Sequence, residues 1–517
     1  MPVLSIVQGL RESSPIAPVL IAVSFSILVY KLLQVGKRDP RMPKGPPTLP
    51  IIGNAHQIPA SGLYRKFLEW AKEYGSVFSL KIGPSSIIVL CDRKAIHKLL
   101  VEKGSIYSDR PPSYVGNILT QGDHLALEQM DVTWREKRKV ISHNFSPKQL
   151  DEKHFRIQES EATVLMTNLL TDPDNFYNDV RRYTASVVTS ITYGFRAPTF
   201  ESFWGSGVYN VMSKWTAAME PGANPPVDEF PFLGLRGSAP SRGARARGDK
   251  RNCIIDSLLD EYEKKGWPAA VTQHGFTNLM GETVEGGADT TAAQLLTLIL
   301  AFALHPKVQN KARKEIDAAC GVERSPRWSD FSKMPYMNCI VKEGMRWRPV
   351  AVTALPHRAR EEDEYEGMLI PKGATVFIPT WALHHNDELY DDPDSFNPDR
   401  YLGHEKLAND YAGSPDFTRR DHYNYGAGRR LCPGIHLAER NMWRIASKLL
   451  WAFEFSEPLD PVTGKVQPLD PNAYNPGILQ APLPFKVRIK VRSEAHRRII
   501  EQEHGEALEF MKQYDEC

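Results

Sequence analysis

The chain has 517 residues, of which 42% are hydrophobic and 24% are charged, and its formal net charge is +2. This composition is that of a globular protein with a large core, and the small net charge gives no argument for a nucleic-acid partner. The six cysteines are scattered without a CxxC pair, which argues against a structural zinc site or a disulfide scaffold and fits a reducing compartment.

The N-terminal part contains a single apolar run. Residues 16–30 carry no charge, and the run continues past Lys31 to Val35. Because a membrane span needs about 20 apolar residues, we predict a short transmembrane anchor at 16–35, with residues 1–15 in the lumen. Basic residues follow the run, which places the rest of the chain in the cytosol. A cleaved signal peptide is the alternative, but no small-x-small cleavage site stands out after the run.

Three further regions follow the predicted anchor. Residues 36–50 are too rich in proline for a helix and are predicted to form a stiff, extended linker. Residues 51–492 form the predicted catalytic domain, and the charged residues 493–517 form a tail that we expect to be an exposed helix. Inside the domain, residues 234–250 are rich in Gly, Arg, Ser and Ala. They fit a basic loop that touches anionic lipid, and equally a disordered or wrongly spliced segment.

The domain is predicted to be mainly α-helical with small β-sheets, an α+β class. Apolar and polar residues alternate with the two-residue period of strands in the first part of residues 78–90, which is followed by a Gly-Pro turn and a second apolar stretch. This pattern predicts a β-hairpin. Most of the chain from there to about residue 345 has helical spacing. Short strands with Pro and Gly between them are predicted at about 351–380, and residues 485–491 alternate again in a last strand.

The most specific pattern is the sequence YGAGRRLCPG at residues 425–434, in which Cys432 is accompanied by three glycines and two arginines. Glycines let the backbone pass close to a flat ligand, and arginines can hold its anionic groups. An apolar helical run begins near Ile435, and a helix N-terminus stabilises a thiolate. A single thiolate under haem iron favours O–O cleavage, so the segment predicts the haem loop of a thiolate-ligated oxygenase.

This segment resembles the cysteine loop of the cytochrome P450 family, which usually has Phe where this chain has Tyr425. The resemblance implies the cytochrome P450 fold, haem b as cofactor and Cys432 as the axial ligand of its iron. It also implies that Gly426 and Gly434 border the haem.

A second motif, GGADTT at residues 286–291, lies within a long helix predicted from about His274 to Leu304. Two glycines in mid-helix each cost about 1 kcal/mol, so they need a packing or functional reason. Thr hydroxyls can bond back to the previous turn and open a groove for dioxygen. A small-residue patch for close helix packing is the alternative. The motif resembles the distal helix of P450s, which implies that Thr290 hydrogen-bonds the oxygen under activation and that Asp289 relays protons to it.

The third pattern is a charged pair, Glu343 and Arg346, whose i,i+3 spacing places both on one face of a helix. Taken alone, such a pair is usually a surface salt bridge. P450s carry a buried Glu-x-x-Arg pair at this place, closed by a later arginine, for which Arg400 in FNPDRY is the match. The resemblance gives these three residues a structural role behind the cysteine loop.

The resemblance also assigns residues to the haem propionates. These residues are Trp134, Arg138, His357 and Arg430, with Arg358 as a substitute for His357. Trp134 and Arg138 lie four residues apart and therefore share one helix face.

We expect four basic residues to form a positive proximal face, namely Arg135, Lys137, Lys139 and Arg429. Such a face would attract an acidic electron donor. A merely solvated set of charges is the alternative.

Together the motifs identify the chain as a microsomal P450 of the kind that filamentous fungi use in specialised metabolism. We expect a monooxygenase in the endoplasmic reticulum membrane that receives NADPH electrons from a separate NADPH–cytochrome P450 reductase, with cytochrome b5 as an optional second donor. This expectation includes a separate reductase because the sequence has no dinucleotide or flavin fingerprint. A pocket with apolar residues at 114–125, after Val350 and at 476–478 favours a lipophilic terpenoid, indole-derived or polyketide substrate.

Two alternatives stay open. One is a haem-thiolate isomerase or dehydratase that needs no reductase, although the Asp289-Thr290 pair speaks against it. The other is a catalytically impaired haem-binding protein, because the chain before Ile254 is short when measured against the family.

Overall fold

The structure is a computed structural model that describes residues 16–59, 61–219 and 253–515. The expectations for residues 1–15 and 234–250 concern parts of the chain outside these described residues. The α-helices of the described residues are α1 (Ile16–Gln34), α2 (Leu63–Tyr74), α3 (Arg93–Ile96), α4 (Tyr114–Thr120), α5 (Val132–Asn144), α6 (Pro147–Glu152), α7 (Phe155–Thr171), α8 (Phe176–Tyr193), α9 (Phe203–Met219), α10 (Ile254–Lys265), α11 (Gln273–Leu304), α12 (Pro306–Cys320), α13 (Pro335–Trp347), α14 (Thr380–His384), α15 (Ala408–Ala412), α16 (Ile435–Ala452) and α17 (Glu494–Met511).

In the same described ranges, three small sheets lie beside these helices. Their strands are β1 (Val77–Ile82), β2 (Ser85–Leu90), β3 (His357–Arg358), β4 (Asp363–Tyr365), β5 (Met368–Ile370), β6 (Thr375–Phe377), β7 (Phe453–Ser456) and β8 (Arg488–Val491). The largest sheet has the order β1-β2-β6-β3, in which β2 and β6 run parallel and the other pairs antiparallel. The prediction of a mainly helical protein with small sheets is therefore confirmed.

The predicted hairpin is present as β1 and β2. Phe78 lies opposite Val89 and Leu80 opposite Ile87, so the apolar alternation places both strands' large side chains on common faces. Against the prediction, the last strand is shorter than 485–491. Strand β8 pairs with β7, which offers only four residues, and so it begins at Arg488.

Helix α11 runs through the main hydrophobic core. The side chain of Thr272 caps its first turn by accepting from the Gly275 amide at 2.9 Å. Its second half, which includes Leu295 and Ile299, is buried among α8, α13 and α16. Because α16 carries the cysteine loop at its start, the core fixes α11 and that loop relative to one another.

The predicted apolar helix at the N-terminus is present as α1. Its side chains from Pro18 to Leu32 are exposed, which leaves an apolar surface uncovered by the rest of the described chain. By length and composition, α11 is the one described helix that could cross a membrane, but 78% of its most apolar window is buried inside the protein. Helix α11 is therefore a core helix, and α1 is the shorter apolar segment.

The charged tail forms the expected helix, α17, but this helix is not fully exposed. Ile500, Ala507 and Met511 are buried, and α17 packs along α7. The apolar residues recur every three to four positions among many charges, so one face of α17 is covered and the other is solvated.

Candidate functional site

Cys432 lies in the short loop that leads into α16, and backbone contacts hold that loop in shape. The Cys432 amide donates to the Tyr425 carbonyl oxygen at 2.9 Å, which closes the turn. Gly426 and Gly428 have positive φ angles of 73° and 62°, and a Cβ at Gly428 would collide with the Leu100 carbonyl oxygen. The loop therefore needs glycine there, and it presents a half-buried thiol at the start of a helix.

The surroundings of the Cys432 thiol fit a metal ligand. Burial raises the pKa of Cys432, while the Gly434 amide and the Arg138 guanidinium act in the opposite direction. A coordinating metal ion removes the proton from a thiol outright, and groups that favour the thiolate help it to do so. A Cβ at Gly434 would lie 3.9 Å from the sulfur, an ordinary van der Waals contact, so glycine leaves that space beside the Sγ open.

Tyr425 adds a hydroxyl to the buried side of this loop. The ring lies 5.4 Å from that of His422, and the hydroxyl has no hydrogen-bond partner among the described residues. Burial, with Glu439 and Cys432 as further causes, holds the pKa of Tyr425 well above its usual value. The phenol is therefore neutral, and the side chain serves mainly as a buried ring.

The two glycines of the GGADTT motif have different surroundings. A Cβ at Gly287 would lie 2.9 Å from Val188 on α8, so this glycine allows α11 and α8 to pack closely. Gly286 has open space in place of its Cβ, and its carbonyl oxygen accepts a 2.7 Å hydrogen bond from the Thr290 hydroxyl. Close packing therefore accounts for Gly287, and the back-bonded turn predicted for this helix is present at Gly286.

Asp289 lies beside Thr290 and is largely buried. Burial raises the pKa of Asp289, and Arg181 on α8 opposes that rise. A carboxyl group with a raised pKa next to a hydroxyl can hold a proton at a higher pH than a free carboxyl group does and can pass it on. Ala288 and Ala292 of the same helix belong to the core against which Cys432 packs, so the two motifs border one region.

Three guanidinium groups converge above the cysteine loop, those of Arg110, Arg138 and Arg430. They donate to backbone carbonyl oxygens, Arg110 to Ala126, Leu355 and Pro356, Arg430 to Ser108, Leu125 and Glu128, and Arg138 to Leu431. Burial and the neighbouring Arg138 lower the pKa of Arg430 to about 10. Burial, with Arg430 and Arg138, likewise holds the pKa of Arg110 well below its usual value.

None of these three guanidiniums forms an ion pair with a carboxylate in the part of the chain that the structure describes. Buried cations that repel one another are costly unless an anion joins them. A cofactor with two carboxylates is such an anion, so the residues present fit haem with its propionates. Arg110 was missed in the sequence, because it precedes two prolines in an irregular segment and no spacing sets it apart from a surface arginine.

Trp134 and His357 lie in the same cluster. The Arg430 guanidinium stacks over the Trp134 ring at 4.2 Å, and the indole N–H donates to the Leu125 carbonyl oxygen at 3.2 Å. His357 Nδ1 lies 2.8 Å from the Tyr107 carbonyl oxygen. Burial and the nearby Arg110 lower the pKa of His357 to about 3, so the imidazole is neutral at physiological pH.

The predicted charged trio is assembled behind the loop. Arg346 donates two 2.8 Å hydrogen bonds to the Glu343 carboxylate, and both side chains are fully buried. Arg400 Nε lies 3.5 Å from the same carboxylate. The Asn424 amide, one residue before Tyr425, donates to the Met345 carbonyl oxygen at 2.5 Å, which connects the trio's helix α13 to the loop.

The expectation of a four-residue basic face is wrong for Lys137. Its side chain is fully buried and forms ion pairs with Asp123 and Glu128. The long aliphatic stem of Lys137 is on the inner side of α5, so the ammonium meets carboxylates of the preceding loop instead of solvent. Arg135, Lys139 and Arg429 are exposed as expected.

A further polar cluster, which the sequence patterns did not indicate, fastens the 121–131 loop to α11. His124 Nδ1 lies 3.6 Å from Glu282 and its Nε2 lies 3.7 Å from Glu285, and its ring stacks on Trp215 of α9. Glu282 also accepts from the Leu125 amide at 2.7 Å. Burial raises the pKa of Glu282 to about 7, although His124 opposes that rise.

The apolar residues predicted to line the substrate pocket differ in their exposure. Ile118, Leu119 and Leu355 are more than one-third exposed. Val352, in contrast, is buried in a small cluster with Tyr64 and Trp381. Val352 therefore contributes to packing at the edge of this region.

Comparison with known proteins matches this architecture to one family. Residues 43–219 and 240–489 match the family profile described as Cytochrome P450. Cytochrome P450 monooxygenase macC of Penicillium terrestre is 40% identical over 510 residues, which cover 92% of this chain and 94% of that protein. Cytochrome P450 monooxygenase yanC of Aspergillus niger has the same identity and the same coverage.

A solved structure of a zebra fish cytochrome P450 with abiraterone shares the fold. It superposes with a TM-score of 0.64 over 84% of this chain and 100% of that chain, at 22% identity. The cysteine loop, the distal helix and the cluster of guanidiniums thus lie on a fold and in a sequence that match the same family. This chain belongs to the cytochrome P450 family and is a P450 monooxygenase.

Proposed function

We propose that this monooxygenase oxidises a lipophilic small molecule of fungal secondary metabolism, with electrons that come from NADPH through a separate reductase. The observation that carries the proposal is Cys432 at the start of α16, with the Arg138 guanidinium acting on its thiol. Arg138 is half-buried and lies with the buried Arg110 and Arg430, and none of the three pairs with a carboxylate among the described residues. Haem b bound between the thiol and these guanidiniums would supply the iron at which O₂ is activated. Cys432 would be its thiolate ligand.

The residues around that position have distinct tasks in this proposal. Arg110, Arg138 and Arg430 would hold the two propionates, with Trp134 and His357 beside them. Thr290 and Asp289 would deliver protons on the α11 side, since a hydroxyl that is back-bonded to Gly286 can rotate toward a new acceptor. Glu343, Arg346 and Arg400 would hold the loop in shape without touching the reacting atoms.

The electron donor is proposed to be NADPH–cytochrome P450 reductase, with cytochrome b5 as an optional second donor. The exposed Arg135, Lys139 and Arg429 support docking of an acidic protein on the side of the cysteine loop. Long-range attraction of this kind raises the association rate and weakens with salt.

We further propose that α1 anchors the protein in the endoplasmic reticulum membrane, with the catalytic domain in the cytosol. The uncovered apolar side chains of α1 support insertion, and the basic residues that follow it support this orientation. In this arrangement residues 1–15 are lumenal, 16–35 span the membrane, 36–50 are the linker and 51–492 are the catalytic domain. A lipophilic substrate would reach such a protein from the membrane.

Reconstitution tests the reaction type. The full-length, haem-loaded protein is combined with purified reductase, NADPH, isotopically labelled O₂ and a panel of terpenoid, indole-derived and polyketide compounds. We expect NADPH-dependent products that carry one labelled oxygen atom. A product that forms without NADPH would instead identify an isomerase or dehydratase.

Two variants on α11 make this test specific. Thr290→Ala should lower labelled product by roughly 10- to 100-fold while NADPH consumption continues, because proton delivery fails. Thr277 makes the same type of bond to its preceding turn but is on the exposed side of the helix, so Thr277→Ala is the matched control. Equal activity of both variants would contradict the role of Thr290.

A further inference from the structure

A cavity of about 340 Å³ opens between the start of α2, the segment after α13 and the turn at residues 472–480. Its volume is within the range of small-molecule sites, which is about 300–1,000 Å³. The side chains that give it its chemistry are Arg65, Arg348, Trp381, Asn472, Tyr474 and Gln480. Two cations and several neutral polar groups therefore surround one space, apart from the Cys432 loop.

Arg348 is held rigidly at the back of this cavity. Its guanidinium donates to the Pro471 carbonyl oxygen at 3.1 Å, to the Trp347 carbonyl oxygen at 2.9 Å and to Asn472 Oδ1 at 2.9 Å. It also stacks over Trp347 at 4.2 Å and lies 5.5 Å from the ring of Trp381. All three acceptors are neutral, so they orient the guanidinium without neutralising it.

Arg65, whose side chain is exposed, brings a second guanidinium near the same indole at the edge of the cavity. It lies 6.0 Å from the Trp381 ring, and its Nε donates to the Tyr64 hydroxyl at 3.1 Å. Neither Arg65 nor Arg348 forms an ion pair with a carboxylate within the described ranges. Burial lowers the pKa of Arg348, and Arg346 and Arg65 lower it further, while Tyr474 and Asp394 oppose them. The cavity thus contains two guanidiniums that no carboxylate of the described residues contacts as an ion-pair partner.

We propose that this cavity is a binding site for an oxyanion, a carboxylate or phosphate group, held between Arg348 and Arg65. A planar guanidinium with a fixed orientation recognises two oxygens of such a group at once, which an ammonium cannot do. The oxyanion is carried either by a soluble small molecule or by a lipid headgroup, and both would present the same oxygens.

Binding of an anion at this site would affect the distal helix α11 through a contact of Tyr474. The buried Tyr474 hydroxyl lies 3.0 Å from the Thr297 hydroxyl on α11, two turns beyond Thr290. At the other end of the turn, the backbone N–H of Gln480 donates to the Val350 carbonyl oxygen at 2.8 Å. An anion that orders the 472–480 turn therefore also orders the contacts of that turn with α11.

Hydrogen exchange of the 472–480 turn tests the proposal on the full-length, haem-loaded protein. Exchange is followed with inorganic phosphate, with acetate, and in vesicles that contain phosphatidic acid instead of phosphatidylcholine alone. We expect at least one of these anions to protect the turn. Protection by free phosphate or acetate identifies a soluble oxyanion, and protection by phosphatidic acid alone identifies a lipid headgroup.

Variants on α2 and at Arg348 distinguish specific binding of an anion from a non-specific effect of net charge. Arg65→Ala should lower the affinity for the protecting anion by about tenfold, since one charged donor is lost. Lys66→Ala removes the same charge from the same helix, but Lys66 pairs with Glu69, so it should have no effect. Arg348→Lys keeps the charge without the planar fork and should also weaken binding, with the thiolate spectrum as the check on folding.

The proposal is overturned if no anion protects the turn in the wild-type protein. It is also overturned if Arg65→Ala and Lys66→Ala weaken protection equally, because the effect would then come from net charge. Loss of protection in Arg348→Lys together with a normal thiolate spectrum supports it.

Discussion

At the scale of single residues, the Glu343 carboxylate has the most costly environment to disturb. It accepts two hydrogen bonds from Arg346 and one from the Asn397 amide at 2.8 Å, with no exposed surface. Glu343→Ala should leave the Arg346 charge buried and alone, which costs about 3–5 kcal/mol. We expect little haem-loaded protein, measured as haem per chain and as the thiolate spectrum after purification.

The control for this variant is Glu501→Ala on the solvated face of α17, which removes an exposed carboxylate. It should leave haem content unchanged, because exposed pairs contribute little. Normal haem content and a normal thiolate spectrum in Glu343→Ala would contradict the structural role of the trio.

Substitution of Tyr425, in contrast, is expected to maintain or increase stability. Its buried hydroxyl has no partner among the described residues, so Tyr425→Phe should remove a desolvated polar group without opening a cavity. We expect the free energy of unfolding to rise by about 1 kcal/mol or to stay unchanged. Thermal unfolding of the haem-loaded variant measures this, and a clear loss of stability would show that the hydroxyl has a bound partner.

Residue types and spacing could predict part of this site. The i,i+3 spacing placed Glu343 and Arg346 together, since partners three residues apart meet on any helix. Arg110 was not predictable, because its neighbours Arg138 and Arg430 come from distant parts of the chain. The burial of Lys137 was missed for a different reason, since its partners Asp123 and Glu128 lie on the irregular loop just before α5, whose path no spacing indicates.

At the scale of elements, α11 was predictable almost to its ends, with His274 expected as the start and Gln273 observed. Its long apolar period continues without interruption by proline, which makes a helix the only suitable structure. What each glycine of the GGADTT motif contributes was not predictable. That difference depends on Val188, which α8 brings against Gly287 but not against Gly286.

The two glycines form a matched pair for stability. Gly287→Ala pushes a methyl group to 2.9 Å from Val188, and overpacking of this kind costs about 1–3 kcal/mol. Gly286→Ala meets open space and should gain up to about 1 kcal/mol from helix propensity. Unfolding followed by circular dichroism should rank Gly286→Ala above Gly287→Ala, and the reverse order would contradict the assigned packing.

The loop at 121–131 should be held to α11 in a pH-dependent manner. Burial alone would lower the pKa of His124, but Glu285 and Glu282 raise it above its usual value. Glu282 also has a raised pKa, about 7, against 4.5 for a free side chain. A group with a raised pKa stabilises the attachment of the loop at low pH, and this contribution is lost as pH increases. For Glu282 the loss occurs between pH 4.5 and about 7, and for His124 it occurs above the usual pKa of 6.5.

Hydrogen exchange of the peptide that contains Leu125, corrected for intrinsic rates, measures this effect. Its protection should fall as pH rises from about 5 to about 8. His124→Gln and Glu282→Gln should each flatten part of the curve. Lys137, Asp123 and Glu128 face the same loop but are paired with one another, so a curve that is unchanged in both variants would assign the effect to them instead.

At the scale of the whole molecule, the sequence predicted the class of fold but not how its ends are arranged. The apolar run at residues 16–30 favours a helix, because no charged side chain interrupts it. The tail was expected to be exposed, yet α17 covers α7 with a narrow apolar stripe. Charge dominates the composition of α17, and the partner of its stripe lies more than 300 residues earlier in the chain.

The same long-range assembly brings the functional parts together. Helix α16 follows the cysteine loop, α11 carries Thr290, and α13 carries Glu343 and Arg346 of the charged trio. One buried core joins these helices, so the thiol and the distal hydroxyl keep a fixed relation. We propose that in this arrangement Cys432, alone among the six cysteines, is the ligand of haem iron.

The reduced carbon monoxide difference spectrum of the full-length protein tests that claim most directly. The wild-type protein and the variants Cys91→Ala and Cys339→Ala, which change buried thiols elsewhere, should show the band of thiolate-ligated haem. Cys432→Ala should lack this band and all turnover. A thiolate band in Cys432→Ala, or its absence from the wild-type protein with haem bound, would contradict the account.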